Sequence, residues 1–191
     1  MQQTAPQIAI FASGNGSNAE NIITTLRDKH QISVALVVSN KQDAFALTRA
    51  RKLGVDTLYI SNDDFANNPQ LVINELRRRN VSLIVLAGFM RKVHPEIVRA
   101  FPEHILNIHP SLLPAYGGKG MWGHHVHEAV IAAGERHSGA TVHIVSEEID
   151  KGAILIQGRV NVAPTDTPES LAAKVHTVEY SIYPAAILAL I

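Results

Sequence analysis

The chain has 191 residues, with 17 lysines and arginines against 17 aspartates and glutamates, and no cysteine. That balance excludes the basic excess that gathers nucleic-acid backbones, and the lack of cysteine excludes disulfides and thiol catalysis while permitting a reducing compartment. No stretch reaches the roughly 18 apolar residues of a membrane span, and the N-terminus lacks the basic start and long apolar run of a signal peptide, so one soluble, cytoplasmic domain over 1–191 is expected.

In chain order, apolar runs of strand length recur: IAIFA (8 to 12), SVALVV (33 to 38), VSLIVLAGF (81 to 89) and HILNI (104 to 108). Runs without alternation suit strands buried on both faces of a parallel sheet. Helical patterns fall between them, around 18 to 29, 43 to 53 and 69 to 79, and the βαβα order predicts an α/β fold with right-handed crossovers. The basic run Arg77-Arg78-Arg79 reads as the solvated last turn of the third helix, where cations suit the dipole. Further on, SGATVHIVSEEID and AILIQGRVNV alternate around Asp150-Lys151-Gly152, predicting an antiparallel hairpin. A terminal helix then starts at Thr167-Pro168, presents Leu171, Val175, Val178 and Ile182 on one face, and should end or kink at Pro184.

Two stretches carry candidate chemistry. After the first strand comes SGNGSNAEN, Ser13 to Asn21, leading into a helix. Glycines there let bare N–H groups approach a ligand and the helix N-terminus adds positive potential, which makes a phosphate seat, with Ser17 and Asn18 as side-chain donors. A dinucleotide would also want an acid at the end of the second strand, where the chain reads VVSNK, and the P-loop pattern fails because Gly16 is followed by Ser17 and Asn18. A tight strand-to-helix turn without ligand stays open.

The other stretch is LNIHPSLLP, 106 to 114. Asn107 and His109 are two apart on a strand end and so share a side; an amide can donate to a developing oxyanion and an imidazole can move protons near neutral pH. Pro110 and Pro114 would stiffen the turn that follows. The same spacing also suits a buried pair that merely satisfies backbone groups. Asp150 is a candidate acid to orient His109 and favour its charged form, with Glu147 and Glu148 as competitors.

Together, SGNGSN, VLAGFMRKV, LNIHPSLLP and TVHIVSEEIDKGAILIQ closely resemble the phosphoribosylglycinamide formyltransferase family, over nearly the whole chain. The central motif is shared across the formyltransferase superfamily. The resemblance implies a Rossmann-like, mainly parallel sheet with a C-terminal antiparallel hairpin and terminal helix, in a single domain whose phosphate-binding half is about 1–100 and whose folate and catalytic half is about 101–191. It implies transfer of a formyl group from 10-formyltetrahydrofolate to the amine of glycinamide ribonucleotide in purine synthesis, without metal, nucleic acid or membrane, by a monomer or homodimer. Asn107, His109 and Asp150 would be catalytic. Gly16, Ser17, Asn18 and Glu179 would bind the ribonucleotide, with His176 beside Glu179 where many relatives carry Gln. Met90, Arg91, Lys92, Val93 and Asn107 would contact folate.

Two departures from the family pattern stand out. The segment AYGGKGMWGHHVHEAV after Pro114 is longer and richer in glycine than in many relatives, and is expected to be a mobile, solvated lid anchored by its aromatics. Its His124, His125 and His127 do not form the His-Glu-x-x-His metal pattern, because Glu128 is followed by Ala129, Val130 and Ile131. The other departure is Asn68, which stands where relatives often place a folate-contacting arginine. Methionyl-tRNA formyltransferase and formyltetrahydrofolate hydrolase share the core motif but carry added domains, which a neutral chain of 191 residues is not expected to hold. A non-catalytic phosphate- or folate-binding module is the alternative outside enzymes.

Overall fold

The computed structural model describes residues 5–27 and 32–191. Its elements are β1 (Gln7–Phe11), α1 (Ser17–Arg27), β2 (Ser33–Ser39), α2 (Phe45–Lys52), β3 (Thr57–Tyr59), α3 (Asn62–Asn67), α4 (Pro69–Arg78), β4 (Val81–Leu86), α5 (Pro95–Ala100), β5 (Ile105–His109), α6 (His124–Ala132), β6 (His137–Ile144), β7 (Ile154–Asn161) and α7 (Pro168–Leu190). The chain divides into two compact units, Met1–Leu106 and Asn107–Ile191, and the boundary falls inside β5.

In the first unit the strands run in the order β3-β2-β1-β4, with the start of β5 beyond β4, where Ile84 N–H donates to His104 O over 2.9 Å. The pairs β1–β2, β1–β4 and β2–β3 are all parallel. Ile8, Ala9, Ile10 and Phe11 are wholly buried, as are Leu36, Val37, Ile84 and Val85, which is the physical reason these runs show no polar alternation. Helix α1 buries Ala19, Ile22, Ile23 and Leu26 and packs against α2 and β2; the last two residues of the expected 18 to 29 helix lie outside the described residues. The arginine run does close α4, but Arg79 is not simply solvated: it pairs with Glu75 (2.8 Å) and Asp56 (2.7 Å), while Arg78 pairs with Glu75 (2.7 Å). Those hydrogen bonds, first from Arg78 and then from Arg79, hold the Glu75 carboxyl down at about 2. Strand β3 and helices α3 and α5 were not foreseen, since three to six residues are too few to display a period.

The second unit contains the end of β5, then β6 and β7, against which α7 packs, with α6 against α7. Strands β6 and β7 are antiparallel, with Thr141 opposite Gln157. The strands end well before the expected turn, so Asp150-Lys151-Gly152 lies inside a nine-residue connection, 145 to 153, rather than forming a tight hairpin. Gly152 is required there: a Cβ at that position would fall 1.7 Å from Ile144 O. Helix α7 begins as expected, with Thr167 Oγ1 accepting from Ser170 N–H in a capping box. It does not end at Pro184 but continues to Leu190. Pro184 removes one helical donor, but Ile182, Tyr183 and Ile187 are buried and hold the helix to its unit. Val178 is only half buried; Glu179 takes the buried place beside it. No helix among the described residues is long and apolar enough to cross a membrane.

Candidate active site

In the first unit, the turn from β1 into α1 is built by small residues and held from outside. Gly16 has φ +77°, and a Cβ there would meet Ala46 Cα and Cβ at 2.5 Å, so only glycine lets α2 approach the loop. Ala46 N–H donates to Gly14 O (3.1 Å), and Arg49 donates through Nε to Asn15 O (3.0 Å) and through Nη2 to Asn15 Oδ1 (2.9 Å) while pairing with Glu20. The first helical bond of α1 is Glu20 N–H to Gly16 O, at 2.9 Å. Ser13 is sealed in: its hydroxyl donates to Asn40 Oδ1 (2.5 Å) and accepts from Met90 N–H (2.8 Å), so the loop and the 90–93 segment share one anchor. Of that segment, Met90, Arg91 and Lys92 are exposed and Val93 is buried.

The second unit brings Asn107, His109 and Asp150 into one cluster, together with a residue that sequence reasoning passed over, His143. Strand β5 carries Asn107 and His109 on one side; β6 carries Thr141 and His143 with the same two-residue spacing. His143 Nδ1–H donates to Ile144 O (2.9 Å), which leaves Nε2 of the neutral ring to accept from the Asn107 amide at 3.1 Å. His109 Nε2–H donates to Tyr116 O (2.7 Å), and its Nδ1 lies 3.6 Å from Asp150 Oδ2. Asp150 Oδ1 is also 3.6 Å from His143 Nε2. Both separations are too long for hydrogen bonds. The one direct hydrogen bond to the carboxylate comes from Gly118 N–H, 2.9 Å from Oδ2.

The electrostatics of Asp150 are a contest. Burial is the largest single influence and pushes its carboxyl up, but the polar contact of His143, the Gly118 N–H and the nearby His109 together hold it below the usual carboxylate range. It is therefore ionised at neutral pH, buried and beside two imidazoles. Tyr116 and Asp150 both adopt left-handed backbone, φ 55° each, an uncommon conformation for side chains of this kind; it aims the Tyr116 carbonyl at His109.

The stiff turn after His109 owes as much to hydrogen bonds as to prolines. Thr141 Oγ1 donates to Ser111 O (2.7 Å) and accepts from Leu113 N–H (3.0 Å), while Gln157 Nε2 donates to Leu113 O (2.9 Å) and Thr141 Oγ1 (2.9 Å). Also in the second unit, Glu179 is buried and accepts from His176 Nδ1 at 2.7 Å. In the long loop, His124 and His125 are half exposed as expected, but His127 is buried, and Trp122 is 51% exposed rather than an anchor. No group of three or more metal-binding side chains occurs among the described residues. An apolar groove lined by Leu155, Ile156, Ala185, Ala186, Ala189 and Leu190 shares no residue with these clusters.

The chain belongs to the formyl transferase family, whose model matches residues 6–187. More particularly, it is 41% identical over 182 residues to the chloroplastic phosphoribosylglycinamide formyltransferase of Arabidopsis thaliana, covering 93% of this chain and 62% of that protein. The chain thus spans less than two thirds of that relative's length. It is 38% identical to phosphoribosylglycinamide formyltransferase of Escherichia coli, covering 94% of this chain and 84% of the relative. Among solved structures, glycinamide ribonucleotide transformylase 1 from Symbiobacterium toebii superposes with a TM-score of 0.89 at 36% identity, over 97% of this chain and 87% of that one.

Proposed function

We propose that this chain transfers a formyl group from 10-formyltetrahydrofolate to the amine of glycinamide ribonucleotide, a step of purine synthesis. The observation that carries the reading is the Asn107–His143–Asp150–His109 cluster at the end of β5, with Asp150 ionised although buried. Amine attack on the formyl carbon forms a C–N bond and places negative charge on the former carbonyl oxygen. Asn107 spends one amide N–H on His143 and keeps the second for that oxygen. His109, in its imidazolium form, donates to the same oxygen and then protonates the folate nitrogen as its bond to carbon breaks. The proton lost by the attacking amine leaves through solvent toward Asp150. His109 can donate in this way only after Nε2–H parts from Tyr116 O, so the 115–125 loop shifts before chemistry.

The remaining assignments follow the chemistry of the two substrates. Gly16, Ser17 and Asn18 take the ribonucleotide phosphate through main-chain N–H groups. Glu179, with His176 bonded to it, accepts from the ribose hydroxyls. Met90, Arg91, Lys92 and Val93 contact folate, as does Asn107. On this reading 1–191 works as one formyltransferase domain, with the phosphate seat in its N-terminal half and formyl chemistry in its C-terminal half. The test is to incubate the purified chain with 10-formyltetrahydrofolate, with and without glycinamide ribonucleotide, and to follow both deformylated folate and formylated product. Deformylation only in the presence of ribonucleotide, matched by formylated product, is expected; release of formate without it would make the chain a hydrolase.

A further inference from the structure

His127 is the one imidazole of the second unit's long loop and helix that is buried without a partner. It lies on α6, which packs on α7, and is buried with Val126 and Val130, only 5% of its surface being exposed. Its Nδ1 is sealed from solvent and has no hydrogen-bond partner, and no side chain or main-chain group among the described residues bonds to the ring. Nε2 is not sealed in this way. A buried N–H without an acceptor costs more than a bare lone pair, so the single ring proton sits on Nε2 and Nδ1 is left empty. Burial is also the largest influence on the ring's charge and holds it neutral; the nearest favourable charge is Glu179, opposed by His124, His109 and His176. The seam between α6 and α7 therefore holds a neutral donor with nothing to donate to, near a buried carboxylate that can only accept.

A hydroxyl group satisfies both at once, since it accepts one hydrogen bond and donates another. We propose that His127 is a sugar-recognition residue, whose Nε2–H donates to a ribose hydroxyl of the ribonucleotide while Glu179 accepts from the sugar. This rests on the reading that Glu179 meets the ribose. A donor of this kind selects for the hydroxyl itself: a sugar lacking it leaves Nε2–H unpaired in a site that excludes water.

The experiment measures the affinity of the full chain for glycinamide ribonucleotide and for its 2′-deoxy and 3′-deoxy counterparts by calorimetry, without folate. His127→Met should weaken ribonucleotide binding about tenfold and bring it close to the affinity for one deoxy counterpart, which itself should change little. His127→Gln, which returns a donor near the Nε2 position, should recover most of the loss. Equal weakening of all three ligands by His127→Met, or none, overturns the proposal while a loss of ribonucleotide affinity in Glu179→Ala keeps the ribose reading intact. Unchanged ribonucleotide affinity in Glu179→Ala overturns both. Should the His127 variants fail to fold, nitrogen NMR of the unmodified chain decides: the His127 Nε2–H resonance must shift on adding ribonucleotide and not on adding the discriminating deoxy counterpart, and an unmoved resonance refutes the contact.

Discussion

The glycine loop of the first unit and the β5 end of the second are two opposite ways to build a polar site. The loop offers main-chain groups, and its shape is set by what is missing: a Cβ at Gly16, whose place Ala46 occupies at 2.5 Å. Its outer support, Arg49, bonds Asn15, pairs with Glu20 and lies over the Phe45 ring at 4.8 Å. At the β5 end the working atoms belong to side chains placed by hydrogen bonds: His143 Nδ1–H donates to Ile144 O, and the Asn107 amide donates to His143 Nε2. The first kind of site should therefore break by sterics and lose stability with function. The second should break by chemistry, with the fold intact.

The largest effect is expected from replacing Asn107 or His109 with Ala, which should lower kcat by about a hundredfold or more, as loss of an oxyanion donor or proton donor does, while the circular dichroism spectrum stays unchanged. Near-normal turnover would remove these residues from the mechanism. Asp150→Asn comes next. It keeps the size of the side chain and its acceptor for Gly118 N–H but removes the charge shared by His109 and His143, so a loss of roughly tenfold to a hundredfold in kcat, with KM for both substrates little changed, is expected from steady-state rates. If KM moved and kcat did not, Asp150 would be a binding group.

Gly16→Ala should show the contrasting pattern. The added methyl forces α2 or the loop to move, at a cost of about 1–3 kcal/mol in thermal unfolding, and the ribonucleotide KM should rise as the N–H groups shift. A normal melting temperature would mean that Ala46 gives way without strain. The smallest effect lies away from both sites, at Glu75. Its folded carboxyl titrates at about 2 against 4.5 for the free group, so the unfolded chain binds the proton first on acidification. The stabilisation is thus fully present above pH 4.5 and is lost as pH falls through about 2. With solvent screening of these surface arginines it is worth about 1 kcal/mol, and Glu75→Gln should lower Tm by about 2–4 °C at neutral pH and by less near pH 2.

The comparison also explains what could be read in advance. Strands β1, β2 and β4 were legible because burial on both faces writes itself as an unbroken apolar run, and the loop was legible because glycine spacing is local. Arg49 was not, because the contact that makes it matter joins residues 34 apart in sequence. Asn107 and His109 announced themselves by their two-residue spacing. His143 has the same spacing with Thr141 on β6, a signal that was present but looked like the ordinary alternation of a hairpin strand. Pro184 does not end α7, because buried neighbours on both sides of it, Ile182, Tyr183 and Ile187, hold the helix to its unit.

By itself, then, the order of residues determined which of the longer segments become strand or helix, the turn at Gly16, and the candidate pair Asn107 and His109, since each depends on neighbours within a few positions. Tertiary structure alone decided that Asp150 reaches both His109 and His143, that Tyr116 O occupies His109 Nε2, and that His127 is buried beside the reach of Glu179. These are distances between atoms far apart in the chain, and they exist only after the strands and helices have packed.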